Sequence, residues 1–201
     1  RSAFGHAGQK CSAASLAILV GSVADSKRFE RQLVDAVRSM RVGVPSDPAT
    51  QMGPIIEPAE GKLLTALTTL ERGERWLVEP KKLDDEGRQW TPGVKTGVAP
   101  GSTTHLTEFF GPVLGIMRAK DLDEAIRLQN AVDYGLTAGI HSLDSAEVAT
   151  WIDQVQAGKL HVNRGITAAI VQRQPSGGGE TAPGRAGAQT RGRDTSWLTE
   201  A

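Results

Sequence analysis

The stretch "GHAGQKCSAAS", residues 5–15, holds the chain's one cysteine, Cys11, among small residues, beside Lys10 and ahead of an apolar run. The thiolate is the reactive form of cysteine, and its population follows the local electrostatics. "KCSAAS" is expected to open a short helix. The thiol would then lie at the positive end of the helix dipole, near unpaired backbone N–H groups, with Lys10 as a neighbouring cation. The glycines of "GHAGQ" allow a sharp bend, and small neighbours leave room for a substrate. That pattern suits attack on a carbonyl, with a backbone amide to receive the oxyanion. Chemistry alone leaves a second reading open, because a lone cysteine is more often a buried, inert apolar side chain.

The elements that must position Cys11 follow it directly. "SLAILVGSV" reads as a buried strand. In "DSKRFERQLVDAVRSM", Phe29, Leu33, Val37 and Met40 recur every three to four residues, with Ser26 or Asp25 as the cap. "RVGVPSDPATQMGPII" is a surface loop, "EPAEGKLLTALTTLERG" a second helix ending near Gly73, and "ERWLVEPKKLDDEGRQWTPGV" short strands with turns. Strand "GPVLGIMRA", helix "DLDEAIRLQNAVDYG", strand "LTAGIHSL", helix "DSAEVATWIDQVQAG" and strand "KLHVN" then alternate, with the last helix capped by Asp144 or Ser145 and stopped by Gly158. This alternation predicts an α/β fold, a mainly parallel sheet covered by helices. From Ser176 the composition turns to Gly, Arg, Thr and Ala, which predicts a disordered tail over 176–201.

Bulk properties narrow the function. The chain has 201 residues, 39% of them hydrophobic, and equal numbers of basic and acidic side chains, 23 each. Zero net charge gives no broad pull toward nucleic acid or an anionic membrane. No apolar run approaches the roughly 18–20 residues of a membrane span, and the start shows no signal-peptide pattern. A single cysteine forms no internal disulfide, so a reducing, cytoplasmic setting is expected. His6, His105, His141 and His161 fall on separate elements without zinc-ligand spacing, and Asp84, Asp85 and Glu86 read as a solvated turn, so no metal site is expected. His161 is expected on the polar side of its strand. The chain begins without methionine, with the cysteine loop in its first dozen residues, and is expected to be part of something longer.

The wording of these segments carries more than their chemistry. "FGHAGQKCSAAS", "GVPSDPATQMGPII", "TEFFGPVLGIM", "AVDYGLTAGIHSLD", "AGKLHVNRG" and "RQP.GG", in that order over residues 1–178, resemble the aldehyde dehydrogenase superfamily. "LVEPKKLD" and "NRGITAAIVQRQP" are similar to the glutamate-γ-semialdehyde (1-pyrroline-5-carboxylate) dehydrogenases, including the module within bifunctional proline utilisation A proteins. The resemblance implies a catalytic domain over residues 1–175 and oxidation of L-glutamate γ-semialdehyde to glutamate with NAD, in proline catabolism. Cys11 would attack the aldehyde to form a thiohemiacetal, hydride would pass to NAD, and water would hydrolyse the thioester. The resemblance makes Glu108 the carboxylate on the nicotinamide ribose and Phe110 the aromatic beside the nicotinamide. Ser12 would meet the substrate's carboxylate, and Thr167, Ala168 and Ala169 would anchor it through backbone N–H groups. Asn163 matches a scaffold residue near the nucleophile.

Taken without the resemblance, Glu108 reads as a surface acid, Phe110 as core, Ser12 as a helix-start hydroxyl and Asn163 as a turn residue. The sequence also departs from the family. The Rossmann cofactor domain, with its glycine-rich fingerprint, general-base glutamate and oxyanion-hole asparagine, is not in this chain. It is therefore the implied partner, and the isolated chain is expected to be inactive. Ser176 replaces an aromatic, and Ala168 stands where glycine is preferred. Relatives form homo-oligomers, an assembly not expected here because the family pattern stops at the tail. Three rival readings remain: a truncated, non-catalytic remnant that needs a separate cofactor domain, an aldehyde dehydrogenase of another substrate class, and a different thiol enzyme pairing Cys11 with a histidine and Asn163.

Overall fold

The computed structural model describes residues 1–167, so the expected tail lies outside the described residues. The apolar run after Cys11 becomes strand β1, Leu16–Val20, and the ridge of Phe29, Leu33 and Val37 becomes helix α1, Lys27–Arg38. Ser26 caps that helix, its hydroxyl accepting the Phe29 N–H at 3.2 Å. Asp25, the other candidate cap, instead pairs with Arg118. Helix α2, Gly61–Thr68, stops about a turn before Gly73. Its end is set from below: Thr69 is extended and offers its carbonyl to the buried Lys95 ammonium at 2.8 Å, which a continuing helix would use for its own ladder.

Strands β2, Arg75–Val78, and β3, Gly93–Thr96, lead to the short helix α3, Thr103–Leu106, and to β4, Val113–Ala119. The sheet runs β1-β4-β3-β2. β4 is parallel to both neighbours, in registers Leu16↔Gly115 and Val94↔Leu114, and β2 is antiparallel to β3. Central β4 is nearly all apolar and buried on both faces, as covered parallel strands are. Helix α4, Leu122–Asn130, is capped by Asp121 and packs across β1 and β4.

Beyond α4 the expected alternation is present but divides. β5, Thr137–Ile140, and β6, Lys159–Val162, pair in parallel as a two-stranded sheet of their own, joined by helix α5, Ser145–Gln154. α4 delivers the chain beside residues 12–15 rather than alongside a strand: the Thr137 hydroxyl bonds the Ser12 carbonyl at 3.3 Å, and Tyr134 meets Ser15. Asp144 caps α5. The helix ends before Gly158 because Asn130 takes over its last groups, donating to the Gln154 carbonyl and accepting the Gln156 N–H.

His161 corrects the expectation from alternation. It is 5% exposed, and Lys159 is buried beside it on β6, while Leu160 and Val162 are half-buried. The inner face of β6 therefore carries Lys159 and His161. Burial, with Arg164 and Lys159 adding their charge, holds the His161 imidazole below its usual 6.5.

The main core gathers Phe4, Met52, Ile55, Leu67, Val94 and Ile116. Ala3, Phe4 and Ala7 belong to it, so the segment leading to Cys11 is rooted in the same core as the sheet.

Candidate active site

The loop before Cys11 is built from left-handed backbone. His6, Ala7 and Gly8 have φ of 54°, 55° and 70°. For Gly8 the reason is contact: a Cβ there would run into the backbone carbonyl of Gly111. Gly8 thus lets its loop touch the Gly111 backbone, and Gly111 directly follows Glu108, Phe109 and Phe110. Gln9 fastens the same loop from the other side, its side-chain oxygen accepting the Ile56 N–H at 2.8 Å.

Cys11 itself sits on a turn closed by the Ala13 N–H to the Lys10 carbonyl at 2.9 Å, not at a helix N-terminus. The expected helix dipole is absent because "KCSAAS" must run straight into extended β1. Lys10 also does something other than flank the thiol: its ammonium donates to the Thr167 carbonyl at 3.2 Å. The thiol is free and exposed, which removes the buried-filler reading. Among the described residues, no hydrogen bond consumes the backbone N–H of Cys11 or of Ser12. Donors held in the chain and left unpaired are what a developing oxyanion needs.

The Glu108 loop divides its two aromatics. Phe109 is buried, whereas Phe110 is 39% exposed and left-handed at φ 55°. The turn after α3 thus spends one ring on the core and presents the other. Glu108 is half-buried. Its charge reaches Tyr134, whose phenol is raised above 10.0 chiefly by burial, with the Ser15 hydrogen bond opposing and Glu108 adding to the rise. Glu108, Tyr134 and Ser15 therefore belong to one neighbourhood, and Ser15 is four residues along the chain from the thiol.

Ser12 is buried. Thr167 is brought to the Cys11 turn through Lys10, and Ala168 and Ala169 lie outside the described residues. Asn163, also left-handed, clamps the β5–α5 loop: it accepts the Ser142 N–H at 3.0 Å and donates to the Ser142 carbonyl at 2.9 Å. Sequence reasoning read the bend at the glycines of "GHAGQ" but missed the contact of Gly8 with Gly111, and it missed Tyr134, Ser15 and the reach of Lys10. Only the glycines carried a signal, as small residues beside each loop's chemistry.

Among the described residues no histidine bonds the thiol. Buried His105 is engaged elsewhere: its Nδ1 accepts the Gly101 N–H at 2.9 Å, and its Nε2 lies 2.8 Å from the Leu128 carbonyl. No cluster of three or more metal-ligating side chains occurs among them, and no helix is long and apolar enough to cross a membrane. A cleft of about 290 Å³ between α1 and the first residues is lined by Phe4, Leu33, Val37 and Met40, and Cys11 takes no part in it.

Comparison with known proteins places the fold in a family. The model of the aldehyde dehydrogenase family matches residues 1–193. A 1-pyrroline-5-carboxylate dehydrogenase of Geobacillus sp. (strain WCH70) is 36% identical over 178 residues, 88% of this chain and 34% of that protein. The structure of proline utilization A from Corynebacterium freiburgense superposes with a TM-score of 0.85 at 58% identity, covering 88% of this chain and 18% of that one. A 1-pyrroline-5-carboxylate dehydrogenase from Thermus with bound NAD gives a TM-score of 0.77 at 34% identity over 88% of this chain and 34% of that one. The chain spans about a third of the length of the curated relatives it matches. Within that span, sequence and fold agree, and the chain belongs to the aldehyde dehydrogenase family.

Proposed function

We propose that this chain supplies the nucleophile side of an NAD-dependent dehydrogenase that oxidises L-glutamate γ-semialdehyde to glutamate, in proline catabolism. The observation that carries the reading is the contact of Gly8 with Gly111, which sets the exposed thiol's loop against the loop bearing Glu108 and Phe110. Cys11 Sγ attacks the aldehyde carbon, and the unpaired N–H groups beside it receive the oxyanion. The thioester left after oxidation is hydrolysed by water. The similarity to an NAD-bound relative and to 1-pyrroline-5-carboxylate dehydrogenases supports both cofactor and substrate.

The residues present fit one end of NAD. Glu108, half-buried and acidic, suits a ribose hydroxyl, and Phe110 offers an open ring for the nicotinamide. When bound, NAD supplies the hydride acceptor. The turns from β1 to α1 and from β4 to α4 carry no G-x-G-x-x-G, the pattern that cradles a pyrophosphate. The phosphate contacts are accordingly assigned to a Rossmann partner domain, and the chain alone to a non-turning-over state. The rival thiol enzyme needs an imidazole on Cys11, and no described histidine provides one.

The test is NADH formation from glutamate semialdehyde, with the chain alone and with a cofactor-binding half supplied. Turnover only in the second case, abolished by Cys11→Ala, is expected. Saturable millimolar-or-better NAD binding by the chain alone, or turnover surviving in C11A, would sink the proposal.

A further inference from the structure

We infer that Lys10 is a positioning residue that straps the 163–167 segment onto the Cys11 turn, holding the part of the site that reads the substrate's carboxylate in register with the nucleophile. The inference rests on the proposed function and on the resemblance's assignment of Thr167 to the substrate's carboxylate. A lysine beside a catalytic thiol invites an electrostatic role. The geometry gives its ammonium a different task, a hydrogen bond to the Thr167 carbonyl across 157 residues of sequence, at 3.2 Å.

A second fastening runs parallel to the first. The Ser2 hydroxyl accepts the Ile166 N–H at 3.3 Å, and the Ser2 carbonyl accepts the Ala14 N–H at 2.9 Å. Gly165 lies flat against this serine, since a Cβ there would approach Ser2 Oγ to 3.2 Å. The segment is thus tied to the nucleophile turn at residue 10 through Lys10 and at residue 14 through Ser2. The two ties bracket Cys11, Ser12 and Ala13. Two hydrogen bonds on adjacent residues, Ile166 and Thr167, fix the segment's rotation as well as its distance.

The strap has a chemical consequence for specificity. The oxygen of a carbonyl repels a carboxylate, and an N–H attracts it. Lys10 turns the Thr167 carbonyl onto itself. A segment that loses this bond is free to present a carbonyl to the substrate's anionic end. Lys10 therefore acts mainly on capture of the carboxylate-bearing aldehyde and less on the chemical step at sulfur.

The test uses Lys10→Met, which keeps the apolar stem and removes the donor, and Lys10→Arg, which keeps a donor. In the full chain, K10M is expected to speed hydrogen exchange of residues 163–167 roughly tenfold, the scale of one lost bond to a charged group, with β4 unchanged and K10R near wild type. With the cofactor-binding half supplied, KM for glutamate semialdehyde is expected to rise about tenfold in K10M while kcat changes less than about threefold. The pH midpoint of Cys11 alkylation is expected to match that of the wild type. Unchanged exchange in K10M overturns the strap. So does a shifted alkylation midpoint accompanied by a fall in kcat alone, which would make Lys10 a thiol activator. A wild-type enzyme that fails to prefer glutamate semialdehyde over an uncharged aldehyde of the same length sinks the functional reading instead, and the exchange experiment still decides the strap.

Discussion

Two ends of this molecule treat polar groups in opposite ways. Beneath β2 and β3, the side chains of Lys95 and Glu74 are 3% and 1% exposed and pair at 3.2 Å. Lys95 also lies 5.3 Å from the Trp76 ring centre, and Glu74 accepts the Glu71 N–H. Everything there is enclosed and spent on other groups, save one Glu74 oxygen. Around Cys11 the reactive groups are left open and the backbone is strained. All four left-handed non-glycine residues among those described, His6, Ala7, Phe110 and Asn163, lie on the cysteine loop, the Glu108 loop or the end of β6. Such conformations cost on the order of 1–3 kcal/mol each and persist only where surrounding packing enforces them. The lesson is one of division of labour: the enclosed end holds α3 and the sheet, and that rigidity lets the other end keep unfavourable geometry.

The largest expected effect falls on the enclosed end. Lys95→Met leaves Glu74 buried without its cation and should destabilise the chain by about 3–5 kcal/mol, the usual penalty for breaking a buried pair. Urea denaturation checks it, and a loss below about 1 kcal/mol would mean that the pair contributes no rigidity. Acid should attack the same end. Burial pushes the Glu74 carboxyl up, but the Thr104 hydroxyl, the Glu71 N–H and Lys95 outweigh it, and the group lies below 4.5. Its stabilisation is present above about pH 4.5 and is lost as pH falls through the lower folded value.

Gly8→Ala should come next in stability and, after Cys11→Ala, in activity. It combines a left-handed penalty of about 1–2 kcal/mol with a collision against the Gly111 carbonyl. A loss of roughly 2–4 kcal/mol is expected, together with a fall of about a hundredfold in turnover once a cofactor-binding half is supplied, because the Cys11 thiol shifts against Glu108 and Phe110. Gly111→Ala meets only the movable Leu63 side chain and should cost less, about 1–3 kcal/mol. Equal effects of the two would break the argument that backbone contact joins the loops.

The smallest effect belongs to His161. Its imidazole is held below 6.5 by burial and two nearby cations, and its Nε2 has no partner among the described residues. The unfolded chain therefore takes up a proton first as pH falls below 6.5. Stability from this group is complete above that value and declines below it, by at most about 1.4 kcal/mol per pH unit. His161→Leu should flatten that slope between pH 6.5 and 5.5, and an unchanged slope would assign it to another group.

How much of this was legible beforehand differs between the same two ends. The helices with strong apolar ridges and cap residues, α1, α4 and α5, were readable because local periodicity and capping decide them. The loops bearing Cys11, Glu108 and Phe110 were readable through the wording of their motifs. What escaped is tertiary. Nothing local says that Thr69 must leave its helix to serve Lys95, or that β6 turns Lys159 and His161 inward. The helix expected at Cys11 failed because "KCSAAS" has to feed an extended strand, and the pull of Lys10 toward Thr167 spans nearly the whole chain.

The central claim is that Cys11 carries the substrate during oxidation. The most direct measurement is acid quenching of the chain, supplied with a cofactor-binding half, NAD and glutamate semialdehyde, followed by mass spectrometry of the peptide bearing Cys11. The account predicts a glutamyl thioester on Cys11, absent without NAD and absent in C11A. An acyl group on any other residue, or full NADH formation with Cys11 never modified, would contradict it.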